Sequence, residues 1–155
     1  MCLDIVKRKI KKPTMKERVA YQVLRVRHTQ LWYKDKPKLC RFSLYFDIDP
    51  IHTNKWEVAS YAGTDDRTNI LASDNQYYDA GFHCFTTLNM ALSFIRPRVR
   101  EHLEIRAVKV RKVHTYGLQS HRRVLVASER KLLALTPKLR ALKRRSHFVK
   151  RRGKI

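Results

Sequence analysis

Carboxylates are scarce in this chain. Thirteen Asp and Glu stand against thirty-five Lys and Arg, for a formal net charge of +22 over 155 residues. Glycine is scarcer still, at four residues, which excludes a Gly-rich linker protein and a repeat β-fold built on many tight turns. The three cysteines, Cys2, Cys40 and Cys84, are odd in number and widely spaced, so no disulfide framework is expected. A reducing, intracellular setting is the default, with Cys40 and Cys84 as buried, inert thiols inside apolar stretches. No apolar run approaches the roughly 20 residues that span a bilayer, and no apolar signal region follows the basic N-terminus. The expected chain is soluble, neither secreted nor inserted in a membrane.

Motifs of chemistry are missing too. The histidines, His28, His52, His83, His102, His114, His121 and His147, are scattered. No two Cys or His have the spacing of zinc ligands. Phosphate-binding Gly loops, nucleophile elbows and H-E-x-x-H patterns are absent. No metal and no cofactor is expected, and no catalytic residue can be named.

What is present is positive charge, unevenly placed. Residues 1–20 carry seven basic and two acidic side chains, a net of +5. Residues 128–155 carry eleven basic and one acidic, a net of +10, which leaves +7 for the middle. Charge of one sign at this density repels itself unless an anionic partner neutralises it. The organisation expected is a basic arm over 1–18, a folded domain over 19–136, and a basic helix and tail over 137–155. Pro13 argues against a helix in the first arm, which is expected to stay extended until a partner orders it.

In the middle, hydrophobic alternation predicts strands at 19–27, 39–46, 55–61, 81–85, 103–113 and 123–127. A bend is expected near Ala107 and Val108, where the apolar face switches, and a turn at Tyr116 and Gly117. Thr86 is the expected N-cap of a helix from Thr87 to about Ile95, with Leu88, Ala91, Leu92 and Ile95 on its apolar face. Ser128 is expected to cap a second helix, Glu129 to Leu135, and Pro137 to open a basic helix over 138–145. The fold class is α+β: a single compact domain with a mostly antiparallel sheet of about five to seven strands and one or two short helices, plus basic arms.

The segment 77–94, YYDAGFHCFTTLNMALSF, is followed by a valine-rich strand at 103–113 and a closing strand at 123–133. Through Gly81, Phe82, His83, Phe85, Thr86, Leu88, Ala91 and Leu92 it resembles a small domain of unknown function found in large DNA viruses and bacteriophages. The resemblance extends over about 19–135. It implies a viral or phage origin and a compact α+β domain, and it implies no activity.

The expected partner is nucleic acid, DNA or RNA, gripped largely without sequence preference by Lys7, Arg8, Lys9, Lys11, Lys12, Lys138, Arg140, Lys143, Arg144, Arg145, Lys150, Arg151, Arg152 and Lys154. Each cation that neutralises a phosphate releases a condensed counterion, which makes such binding strong and salt-dependent. The plain alternative is a solvated charged face. Trp32, Tyr33, Phe42, Tyr45, Phe46, Trp56, Tyr61, Tyr77 and Tyr78 are interleaved with Lys and Arg along the middle of the chain; exposed rings among them would stack on unpaired bases, and the rest would be core.

The function expected is that of a viral or phage accessory protein binding nucleic acid, in the host cytoplasm or nucleus or within the virion. Three alternatives stand beside it. One is a minor virion protein whose tails thread between partners. Another is a ribosome-associated protein on rRNA. The third rests on Gly81–Phe85 before a helix, which is similar to the nicotinamide pocket of ADP-ribosyltransferases; that resemblance would enlist His28, Ser93 and Glu129.

Overall fold

A computed structural model of the chain describes residues 3–29, 38–43, 51–59, 69–96 and 103–135. The elements are β1 (Ile5–Lys9), β2 (Arg18–Thr29), β3 (Lys38–Ser43), β4 (Trp56–Val58), β5 (Asn69–Leu71), β6 (Tyr77–Asp79), β7 (Phe82–Phe85), α1 (Leu88–Ile95), β8 (Leu103–Gln119) and β9 (Arg122–Leu132). Seven strands form one sheet, and β5 and β6 pair separately. Every strand-to-strand ladder is antiparallel. One helix and an antiparallel sheet make the described chain a single α+β domain, with more strands than the alternation predicts. The excess comes from β1, β5 and β6: β1 has one buried residue among its five, and β5 and β6 have three residues each.

Four strands close on themselves. β2 pairs with β8, β8 with β9, β9 with β7, and β7 returns to β2 through Tyr21 opposite Phe85. The ring separates two apolar clusters. One holds Ala20, Leu24, Cys84, Val108, Val110, Leu125, Ala127 and Leu132. The other, against α1, holds Leu3, Val23, Tyr78, Phe85, Phe94, Val124 and Val126. Successive residues of β2, β7 and β9 alternate between the clusters, as the strand period requires.

The bend in β8 lies at Lys112, beyond the one expected near Ala107 and Val108. Residues 104, 106, 108 and 110 are buried, and then 113, 115, 117 and 119. The phase changes at Lys112, whose φ of 53° and the register shift between Val113 and Thr115 mark a bulge. The turn, too, lies later than Tyr116 and Gly117. β8 continues to Gln119, and Ser120 and His121, both at positive φ, join it to β9. Two non-glycine residues hold this conformation because the turn is tied down. The Asp4 carboxylate accepts from the Ser120 N–H, and Arg122 Nη1 donates to the Ser120 carbonyl at 2.5 Å. Gly117 serves close packing instead: a Cβ there would meet the Ile5 carbonyl and would lie 2.6 Å from a Leu3 methyl.

Thr87, one residue later than expected, caps α1; its hydroxyl accepts from the Met90 N–H at 3.3 Å. The buried face is centred on Ala91 and Phe94, with Leu88 and Leu92 only half-buried. Phe94 turns the helix because its ring packs on Phe85, centroids 5.0 Å apart, and burying a ring contributes about 2–3 kcal/mol. No helix starts at Ser128. β9 runs on to Leu132, since Glu129 is paired with Val58 on one side and Arg111 on the other. Two ladders override the local capping signal. The basic helix expected over 138–145 lies outside the described residues.

Candidate nucleic-acid interface

The first basic arm is not left waiting for a partner: its residues 5–9 are a strand of the sheet. β1 runs along β8 from Ile5 opposite Leu118 to Lys9 opposite Thr115. The same edge of β8 then takes the Lys112 N–H to the Thr14 carbonyl at 2.9 Å, and next β2 from Arg18 opposite Val110 to Arg25 opposite Leu103. The chain thus follows one long strand for its entire N-terminal course.

Leu3 anchors this course. Its side chain is fully buried, and its N–H donates to the Tyr78 hydroxyl at 3.0 Å. Val6 is the second inward residue, and its N–H donates to Asp74 at 2.8 Å. Between Val6 and Arg8 the register shifts, so Lys7 is the extra residue of a bulge. The outcome is that Lys7, Arg8 and Lys9 are all exposed, as are Lys11, Lys12, Lys16 and Arg18. Lys16 and Arg18 belong with the five expected cations; their charge was visible in the sequence, their exposure beside β1 was not. The other nine expected residues, Lys138 to Lys154, lie outside the described residues.

No carboxylate among the described residues forms an ion pair with Lys7, Arg8, Lys9, Lys11 or Lys12. The carboxylates are taken elsewhere. Asp4 holds the Ser120 turn, and Asp74 holds Val6 and Gln76. Glu17 pairs with Lys109 at 2.6 Å, which pulls its pKa down. Glu129 is bound by Lys112 at 2.6 Å and by Arg111, and its pKa is lowered by both. Glu104 pairs with buried Arg106 at 3.0 Å, and Glu57 with buried Arg130 at 2.8 Å. Charges at the end of a sheet also discourage edge-to-edge pairing, and β1 is such an end strand among the described residues.

Three of the interleaved aromatics have described side chains. Trp56 is half-buried under Arg111, whose guanidinium lies 4.1 Å from the ring centroid. Tyr78 is core, and Tyr77 is 59% exposed. The histidine of the Gly81–Phe85 strand is also core. His83 Nε2 lies 3.0 Å from the Tyr78 hydroxyl, and burial pushes its pKa down to about 3. Gly81 is required by close approach: a Cβ there would sit 2.6 Å from the Ala127 carbonyl and 2.9 Å from His114 Nε2.

Of the residues that the ADP-ribosyltransferase resemblance would enlist, Ser93 accepts from Arg122 Nε at 2.6 Å and donates to the Met90 carbonyl, while Glu129 is held by Lys112 and Arg111. His28 lies on β2. Among the described residues no helix is long and apolar enough to cross a membrane. Comparison with known proteins finds no family model, no curated protein and no solved structure that matches this chain.

Proposed function

We propose that this protein binds nucleic acid largely without sequence preference, as a viral or phage accessory protein, and that the face carrying β1 is part of the contact. The observation that carries the reading is the cationic run Lys7, Arg8, Lys9, Lys11 and Lys12. It is exposed and free of carboxylate partners among the described residues, with Lys7, Arg8 and Lys9 on a strand held in place by Leu3 and Val6 and Lys11 and Lys12 just beyond its end. Cations fixed on a strand meet phosphates without first being ordered, so less conformational entropy is lost on binding than from a free arm. The nine cations of 138–154 add a second set of phosphate contacts.

Salt titration tests the reading. Log affinity for duplex DNA or RNA is expected to fall linearly with log salt. Replacing Lys7, Arg8 and Lys9 by Ala reduces that slope by about two to three, near 0.9 for each phosphate no longer neutralised. Removing 138–155 flattens it further. Affinity that is unchanged between low and high salt would exclude phosphate-driven binding.

A further inference from the structure

The β5–β6 hairpin is fastened to β1. The Ser73 N–H donates to the Leu3 carbonyl at 3.1 Å, Asp74 accepts from the Val6 N–H at 2.8 Å, and the Tyr78 hydroxyl accepts from the Leu3 N–H at 3.0 Å. Tyr77 stands between Asp74 and Tyr78 in the chain, in the hairpin that these bonds join to β1. Successive strand residues point to opposite faces. With Tyr78 buried at 2% exposure, Tyr77 is turned outward at 59%, and its cross-strand neighbour Leu71 is also exposed, at 46%. On a hairpin bonded to the strand that bears three cations without a carboxylate partner among the described residues, the Tyr77 ring has the form of a stacking platform that accompanies a phosphate track.

We infer that the Tyr77–Leu71 face, together with Lys7, Arg8 and Lys9, binds single-stranded nucleic acid, with an unpaired base stacked on Tyr77 and the adjoining phosphates on β1. The inference rests on the phosphate-binding reading above and adds strand selectivity to it. A duplex keeps its bases stacked on one another, so it presents phosphates to β1 but no free base face to the ring. Asp79 lies on the same face of β6 as Tyr77. Its negative charge disfavours phosphate at that end, so the backbone runs toward Lys7 rather than along β6.

The test compares probes on the full chain. Labelled thymidine and uridine homopolymers about 20 nucleotides long, and a duplex of equal length, are titrated by fluorescence anisotropy at one fixed salt concentration. Tyr77→Ala is expected to weaken homopolymer binding about tenfold and to leave duplex binding and the salt slope unchanged. Tyr77→Phe keeps the ring and binds as the wild type does, which separates stacking from any loss of fold. Homopolymer affinity within twofold of wild type in Tyr77→Ala, or an equal loss on duplex, overturns the stacking inference. If the Lys7, Arg8 and Lys9 variant still weakens both probes, the phosphate reading stands in that event. A wild-type chain that binds neither probe overturns both.

Discussion

The hydroxyl of Tyr78 lies 3.0 Å from Nε2 of His83, both side chains being buried. The Leu3 N–H donates to the same oxygen, and the Gly81 backbone accepts from the His83 ring. The histidine is therefore neutral, with Nε2 accepting from Tyr78, and the pair locks β1 to β6 and β7. The strand that carries the exposed cations is thus held through a buried neutral imidazole.

Acid should release this lock. Burial lowers the folded-state pKa of His83 from 6.5 to about 3. Between those values the unfolded chain binds the proton and the folded chain does not. The stability is fully present above pH 6.5 and is lost as pH falls toward 3, at up to about 1.4 kcal/mol per pH unit. Burial shifts His114 in the same direction. Thermal melting from pH 7 to pH 4 should show a falling midpoint, and His83→Gln should make the profile shallower. A pH-independent midpoint would contradict the buried neutral histidine.

Leu3→Ala should cost about 2–5 kcal/mol, the range for emptying a fully buried leucine site. Urea denaturation measures the destabilisation. Hydrogen exchange should speed up first in residues 4–10, because their bonds to Leu118 and His114 depend on the anchored strand.

Gly81→Ala should destabilise by about 1–3 kcal/mol, since its Cβ has no space beside the Ala127 carbonyl and His114. Lys55→Ala, at an exposed position, serves as the comparison in the same melts, and a Gly81→Ala midpoint equal to wild type would refute the tight approach.

Arg130 is buried between Glu57 at 2.8 Å and the Gln22 side-chain oxygen Oε1 at 2.9 Å, with its guanidinium 4.1 Å from the Phe82 ring centroid. Glu57→Ala leaves that charge short of its counterion and should cost about 3 kcal/mol. Adding Arg130→Met should cost less than the two single changes combined, as a double-mutant cycle in urea would show. Strict additivity would mean that the pair is not coupled.

The Cys84 thiol is fully buried, and burial pushes its pKa up to about 12. It should resist iodoacetamide in the native protein and react only on unfolding. Peptide mapping by mass spectrometry distinguishes it from Cys2 and Cys40. Rapid native labelling at Cys84 would place it outside the ring of strands.

Six strands were legible beforehand: β2, β3, β4, β7, the start of β8 and the start of β9. A period of two is a property of neighbours along the chain and needs no partner to be seen. The misread points depend on partners. Ser128 and Glu129 look like a helix start until Glu129 is placed between two ladders. Gly117 looks like a turn until Leu3 and Ile5 are packed over it. Five of the interface cations were legible as charge, and the exposure of Tyr77 was not, because a tyrosine pair on a three-residue strand shows no preference of face.

By itself the sequence determined the excess of positive charge, its concentration at the flanks, the β-rich middle and the place of the helix at Leu88–Ile95, all of which follow from composition and local period. Only the tertiary structure decided that residues 5–9 are a strand rather than a free arm, that four strands close into a ring, and that Tyr78 turns in while Tyr77 turns out. The reason is physical: these outcomes rest on contacts between residues far apart in the chain, such as Leu3 with Tyr78 and Asp4 with Ser120. Such contacts leave no periodic trace in the segments that make them.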